Sequence, residues 1–236
     1  MAPVDIFRFW SQIKPHQKIH PADRDVFRRV GQRGHGLKLN CLPGNFMGPL
    51  KTASIVLLFL SPGFVRFDAK FARTSKGRSW YAKTRTGNHP LPSKADHASA
   101  NKWWEKFARM FEVEPIQLRD KMAILDIGAY HSKKFSDYPL LAALQSSRVT
   151  LEWAQTVLFP QAMRGERIVI CLRSPHFWGL ARGRKRGRSL FSPNTTRGGY
   201  PLLKRRRDKK LRDEIIRSVQ IAIRNAQSRR SSKTTI

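Results

Sequence analysis

Three short segments carry the side chains most able to do chemistry. Asp126 interrupts the apolar stretch Met122-Ala-Ile-Leu-Asp-Ile127 and is followed by Gly128-Ala-Tyr-His-Ser-Lys133, so a carboxylate, the Tyr130 ring and the His131 imidazole fall within six residues. A charged residue inside an apolar strand needs a partner or a solvated strand end, and either demand favours a site over a plain fold element. Ser61-Pro-Gly-Phe64 closes the run Ala53-Ser-Ile-Val-Leu-Leu-Phe-Leu60. The third segment, Ser192-Pro-Asn-Thr-Thr-Arg-Gly-Gly-Tyr200, is a Pro-flanked polar loop beside a basic stretch, a combination suited to phosphate or groove contact.

The elements that position these groups follow from hydrophobic patterning. Runs rich in Ile, Val and Leu and closed by Pro and Gly are strands covered on both faces, and open α/β sheets bind ligands at the carboxyl ends of such strands. Strands are expected over 53–60, 122–127, 167–172 and 188–191, the third ending in Arg173-Ser-Pro-His-Phe-Trp178. Helices are expected from Pro21 to Val30, from Asp96 with Trp103, Phe107, Met110 and Phe111 on one stripe and Trp104 beside it, and over 138–145 and 149–159. Residues 65–95 have no clear period and read as a long basic loop. Leu211, Ile215, Val219, Ala222 and Ile223 line one side of a helix over 208–226, with 227–236 expected to be disordered.

Recurring strand, loop and helix predict a three-layer αβα sandwich around a central, mainly parallel four-stranded sheet. Its parts are an N-terminal segment, 1–50, an α/β domain, 51–202, and a basic C-terminal helix and tail, 203–236.

Charge points to the partner. The chain has 46 Lys and Arg against 16 Asp and Glu in 236 residues, a net of +30. Residues 181–236 hold 18 basic and 3 acidic side chains, half of that excess. Such an asymmetric surface suits nucleic acid, and an anionic membrane surface less well. No apolar run reaches the roughly 18 to 20 residues of a membrane span, and the N-terminus lacks a secretory pattern. Cys41 and Cys171 are the only thiols, which excludes a disulfide framework, a Cys-rich zinc site and a four-Cys cluster and suits a reducing cytoplasm. Asp126 and Glu166 are the only core-strand carboxylates, too few for two-metal nuclease chemistry.

Taken together, the strand-end loops resemble the uracil-DNA glycosylase superfamily over roughly residues 40–202. Phe59-Leu-Ser-Pro-Gly63 is similar to that family's first motif, of the Gly-Gln-Asp-Pro-Tyr or Gly-Ile-Asn-Pro-Gly type. Ser192-Pro-Asn-Thr-Thr-Arg-Gly-Gly-Tyr200 resembles a shortened His-Pro-Ser-Pro loop, and Asp126 sits where the family keeps a base-reading Asn. The chain departs from the family at two points: Ser61 replaces the water-activating Asp or Asn, and Ser192 replaces the His.

The resemblance implies a monofunctional, metal- and cofactor-independent DNA glycosylase that flips a base out of DNA, acting as a monomer on double-stranded DNA with no membrane partner. N-glycosidic hydrolysis needs an anion near C1′, a positioned water and a donor to the leaving base. Asp126, Ser61, His131 and Asn194 are the candidates for those roles, with Leu60, Pro62, Gly63, Phe64 and Tyr130 around the base. Ser192, Pro193, Thr195, Arg197, Arg184, Lys185, Arg186, Lys204 and Arg205 are the expected DNA contacts. Asp126 alternatively caps a loop or pairs with Arg173, and a lone loop His is commonly structural.

In the uracil-selective branch a Tyr stands where this chain has Gly63, so room opens beside C5 of the base. An acceptor-only carboxylate at 126 favours an amino donor such as N4 of cytosine. Together these imply a bulky 5-substituted cytosine, such as the glycosylated hydroxymethyl form of some phage DNA, and a role in antiviral defence inside a bacterial cell. The competing expectation is a catalytically silent DNA-binding member of the same fold.

Overall fold

The computed structural model describes residues 4–31, 35–196, 198–201 and 206–231, the side chains of 226–231 excepted. Among the described residues six strands form one sheet: β1 (Phe46–Met47), β2 (Ile55–Phe59), β3 (Met122–Asp126), β4 (Ile168–Cys171), β5 (Arg184–Arg186) and β6 (Leu190–Ser192). Their spatial order is β1-β3-β2-β4-β6-β5. The four strands β3, β2, β4 and β6 are mutually parallel, while β1 and β5 pair antiparallel at the two edges. The expected four-stranded sheet is therefore enlarged to six. The additions are two and three residues long, too short to leave a periodic signal, and β5 is a hairpin partner formed of exposed Arg184-Lys-Arg186.

Alternation along the central strand sorts the core. Val56 and Leu58 face one cluster, which also holds Ala123, Leu125 and Val169. Helices α1 (Ile6–Ser11), α2 (Arg24–Val30), α7 (Tyr138–Ala143), α8 (Gln145–Trp153) and α9 (Phe159–Arg164) cover that face, with a π-turn at Ala154–Leu158 joining the last two. Ile55, Leu57 and Phe59 face the opposite cluster with Met122 and Ile124. There α5 (Lys94–Phe111), α6 (Pro115–Leu118) and α10 (Arg206–Ser231) pack. Every residue of β2, β3 and β4 is buried, as strands with helices on both faces require.

Several expectations are corrected. Residues 65–95 are not a long loop: they fold into α3 (Arg66–Phe71) and α4 (Ser75–Arg85), whose apolar side chains are buried in a satellite cluster of Leu42, Phe71, Ala72, Trp80 and Tyr81. The dense Lys and Arg masked a helical face only a few residues wide. The helix expected from Asp96 begins at Lys94, because Ser93 and Asp96 form a reciprocal cap. Trp104 is 1% exposed and belongs to the buried stripe with Phe107 and Phe111, its indole N–H donating to Pro92 O at 2.8 Å. The last parallel strand, Leu190–Ser192, starts two residues later than expected. The final helix continues through the segment 227–231 that was expected to be disordered, and its Ile215, Val219 and Ile223 are buried as the pattern required.

Candidate functional site at the strand ends

The parallel strands deliver their carboxyl ends to one rim, and the loops after β2 and β3 run side by side along it. Ile127 N–H donates to Phe59 O at 3.3 Å, Gly128 N–H to Leu60 O at 2.8 Å, and Ser132 N–H to Pro62 O at 3.1 Å. This zipper continues strand pairing beyond the sheet and holds Ser61-Pro62-Gly63 beside the segment 127–132. Trp178 adds an indole N–H bond to Phe59 O at 3.2 Å. Ser61 Oγ lies 3.4 Å from Ser132 Oγ, a partly buried hydroxyl pair on the loops.

Asp126 sits at the last position of β3, in register with Phe59. It is 8% exposed, and among the described residues no donor reaches its carboxyl group and no cation pairs with it, Arg173 included. Burial raises its pKa well above the usual carboxylate range, because the charged form loses its hydration there. A buried, unpartnered carboxyl group costs stability unless something else is gained.

Gly63 is exposed, has no positive φ, and a Cβ built there meets no atom within 4 Å. Its lack of a side chain is therefore not a backbone requirement. Leu60, Pro62 and Phe64 are half-buried in the same loop. Tyr130, expected at the base pocket, is turned the other way: it is 2% exposed, and its hydroxyl donates to Asp23 Oδ2 at 2.7 Å while His20 N–H donates to it.

His131 is engaged at both ring nitrogens. Nδ1–H donates to Gly63 O at 2.6 Å, and Nε2 accepts from the Tyr81 hydroxyl at 3.1 Å. Asp68 lies 3.6 Å from His131 Nδ1 and 3.5 Å from His97 Nε2, and its Oδ2 accepts the Val65 N–H at 2.8 Å. Burial lowers the pKa of both histidines, against the pull of Asp68. The same burial pushes the Tyr81 hydroxyl up and the nearby Cys41 thiol up to about 12. This Tyr81–His131–Asp68–His97 network fixes the Gly63 carbonyl and hence the loop. Asp68 and Tyr81 escape sequence reasoning because the segment 65–95 shows no clear period, although its Phe67/Phe71 and Trp80/Tyr81/Thr84 spacings carry a signal; His97 falls in the helix that was expected, but nothing local marks it as a partner of Asp68.

The late loop is only partly as expected. Asn194 Nδ2 donates to Asp208 Oδ1 at 2.9 Å, which ties it to α10. Ser192 is 3% exposed and Pro193 is buried, so neither faces solvent. Thr195 Oγ1 donates to Leu172 O at 2.9 Å. Tyr200 folds back toward Phe107 and Lys106, whose ammonium sits 5.2–5.5 Å from the rings of Trp103, Phe107 and Tyr200. Burial, then Arg173, lowers the Lys106 pKa. Arg184 and Arg186 are exposed, whereas Lys185 forms an ion pair with Glu214. Arg197, Lys204 and Arg205 lie outside the described residues.

Among the described residues two open, shallow clefts lie away from this rim, one bordered by Trp80, Lys83, His89 and Asp96 and one by Glu112, Gln117 and Arg224. Among the described residues no cluster of three His, Cys, Asp or Glu side chains is arranged to hold a metal, and no helix is long and apolar enough to cross a membrane. Comparison with protein-family models, with curated proteins and with solved structures found no match.

Proposed function

We propose that the protein is a DNA glycosylase-like enzyme that flips a non-standard base, a bulky 5-substituted cytosine, onto the strand-end rim and hydrolyses its N-glycosidic bond. The observation that carries this reading is Asp126: a buried carboxyl group without a partner among the described residues, at the carboxyl end of a central parallel strand, beside the Ser61–Gly63 loop. The resemblance of that loop to the uracil-DNA glycosylase superfamily supports the same assignment.

Protonation refines the role of Asp126. The neutral acid offers one O–H donor and one C=O acceptor. Those match N3 and the N4 amino group on the Watson–Crick edge of a flipped cytosine. Passing the acid proton to N3 makes the base a better leaving group; water then adds to C1′ and its released proton restores the acid, so the products are the free base and an abasic sugar. Ser61 and Ser132 are the hydroxyls placed to orient that water. Gly63 leaves space for the C5 substituent. The reading requires no metal or cofactor, and the substrate it implies is phage DNA in a bacterial cytoplasm.

One observation favours a second reading, a silent DNA-binding protein of the same fold: both nitrogens of His131 are occupied and Ser192 is buried, so neither is free to act on substrate. Incubation with duplexes containing uracil, 5-methylcytosine, hydroxymethylcytosine and glucosylated hydroxymethylcytosine tests both. Released base and alkali-labile sites without metal are expected for the enzyme; tight binding with no release across the panel would establish the silent reading.

A further inference from the structure

A ladder of aromatic rings stands on the same rim, contributed by the loops after β3 and β4. His176 and Phe177 have ring centroids 4.2 Å apart, Phe177 and Tyr138 stack at 4.8 Å with 23° between planes, and Tyr138 meets Phe135 edge-on at 5.5 Å. Phe135 and Phe177 are half-buried against the main core, so both are anchored. Tyr138 is 43% exposed and stands between them. It occupies the first turn of α7, where Pro139 restricts the backbone and the Asp137 carboxylate is used in capping, accepting the Leu140 N–H at 3.0 Å. An exposed ring held this firmly has little conformational entropy left to lose on binding.

Its surroundings are cationic. Lys133, Lys134 and Arg173 are exposed and, among the described residues, none has an acidic partner. Asp137, the acid next to the ring in sequence, is directed to the Leu140 N–H and leaves three cations against one carboxylate. Rigid aromatic faces set among unpaired cations match a nucleobase with its phosphates better than an apolar protein surface, because stacking tolerates any base while the cations neutralise the backbone.

We propose that Tyr138, braced by Phe177 and Phe135, is a stacking platform for an unpaired nucleobase, with Lys133, Lys134 and Arg173 holding the adjoining phosphates. This deepens the DNA reading of the rim and rests on it, and it adds a second base-contacting element, on the loops after β3 and β4, beside the Asp126 and Gly63 site.

Two probes test it: a fluorescein-labelled oligo-dT strand, and a duplex with one unpaired cytosine flanked by 2-aminopurine. Tyr138→Ala should weaken binding to both by about tenfold while leaving the salt slope unchanged, the size expected for removal of one base stack. Tyr138→Phe should restore affinity, and the 2-aminopurine signal on binding should fall only in the alanine variant. Lys133→Ala with Lys134→Ala should instead flatten the salt slope by about 0.9 on the duplex and about 0.7 on the oligo-dT strand for each phosphate no longer neutralised. A folded Tyr138→Ala protein with unchanged affinity and unchanged 2-aminopurine signal would overturn the platform, as would a change confined to thermal stability. The wider reading fails differently: wild-type protein that stacks on both probes but releases no base removes the glycosylase and keeps the platform.

Discussion

Asp126 makes opposite demands on stability and on chemistry, which allows the two to be measured apart. Its folded pKa is raised above the unfolded value of about 3.9, so the folded state holds a proton that the unfolded chain has released. The stability that the protonated acid contributes is fully present below pH ~4 and declines as pH rises toward the folded pKa. Asp126→Asn cannot ionise. Its melting temperature should therefore gain on wild type progressively as pH rises above ~4, while single-turnover base release falls by about two orders of magnitude. A melting difference that does not vary with pH would show that the carboxyl group is not held protonated; undiminished release would remove Asp126 from the chemistry. Gly63 supports a second residue-level expectation. Since a Cβ meets nothing within 4 Å and φ is not positive, Gly63→Tyr should melt as wild type does. It should lose roughly tenfold or more of its activity on a glucosylated base relative to unsubstituted cytosine. Equal loss on both substrates would count against a C5 pocket.

At the scale of elements, the loop after β2 depends on helices that pack beside it. Asp68 on α3 and Tyr81 on α4 meet His131, which in turn holds Gly63 O, while His97 on α5 meets the same Asp68. Burial depresses the histidine pKa values, so as pH falls the unfolded chain binds protons first. Their stabilising contribution is present above the unfolded value of about 6.5 and is lost as pH falls through it toward the folded value. Compared with His97→Gln, wild type should therefore lose more stability as pH is taken below ~6.5 in thermal melting; parallel curves would mean the network does not titrate on unfolding. The C-terminal helix is held by a different force. Ile215, Val219 and Ile223 are each 2% exposed or less, and Ile215→Ala should cost about 2–5 kcal/mol in denaturant unfolding. A cost below ~1 kcal/mol would indicate that α10 is docked only loosely.

Across the whole molecule, the +30 charge makes any nucleic-acid binding strongly salt-dependent. Arg184 and Arg186 are exposed on an edge strand and, among the described residues, have no acidic partner, whereas Lys185 is neutralised by Glu214. Replacing both arginines with alanine should reduce the slope of log affinity against log salt by about 0.9 for each phosphate that they neutralise. Lys185→Ala should change it less. Equal slopes for all three proteins would exclude this edge from the interface.

The parallel core strands, the C-terminal helix face and the Ser61–Gly63 turn at a strand end were legible in the chain itself, because burial on both faces leaves uninterrupted Ile, Val and Leu runs and a docked helix leaves an apolar stripe. Asp126 was legible as an anomaly for the same reason. Helices α3 and α4 were not, since their narrow apolar faces are crowded by Lys and Arg, nor were the edge strands β1 and β5, which are too short to carry a period. Tertiary packing alone decided that Tyr130 turns into the core, that Asn194 is tied to Asp208, that His131 commits both nitrogens to the fold, and that Phe135, Tyr138 and Phe177 meet. Each of these depends on packing between segments distant in sequence or on the direction of one side chain, and local spacing carries neither.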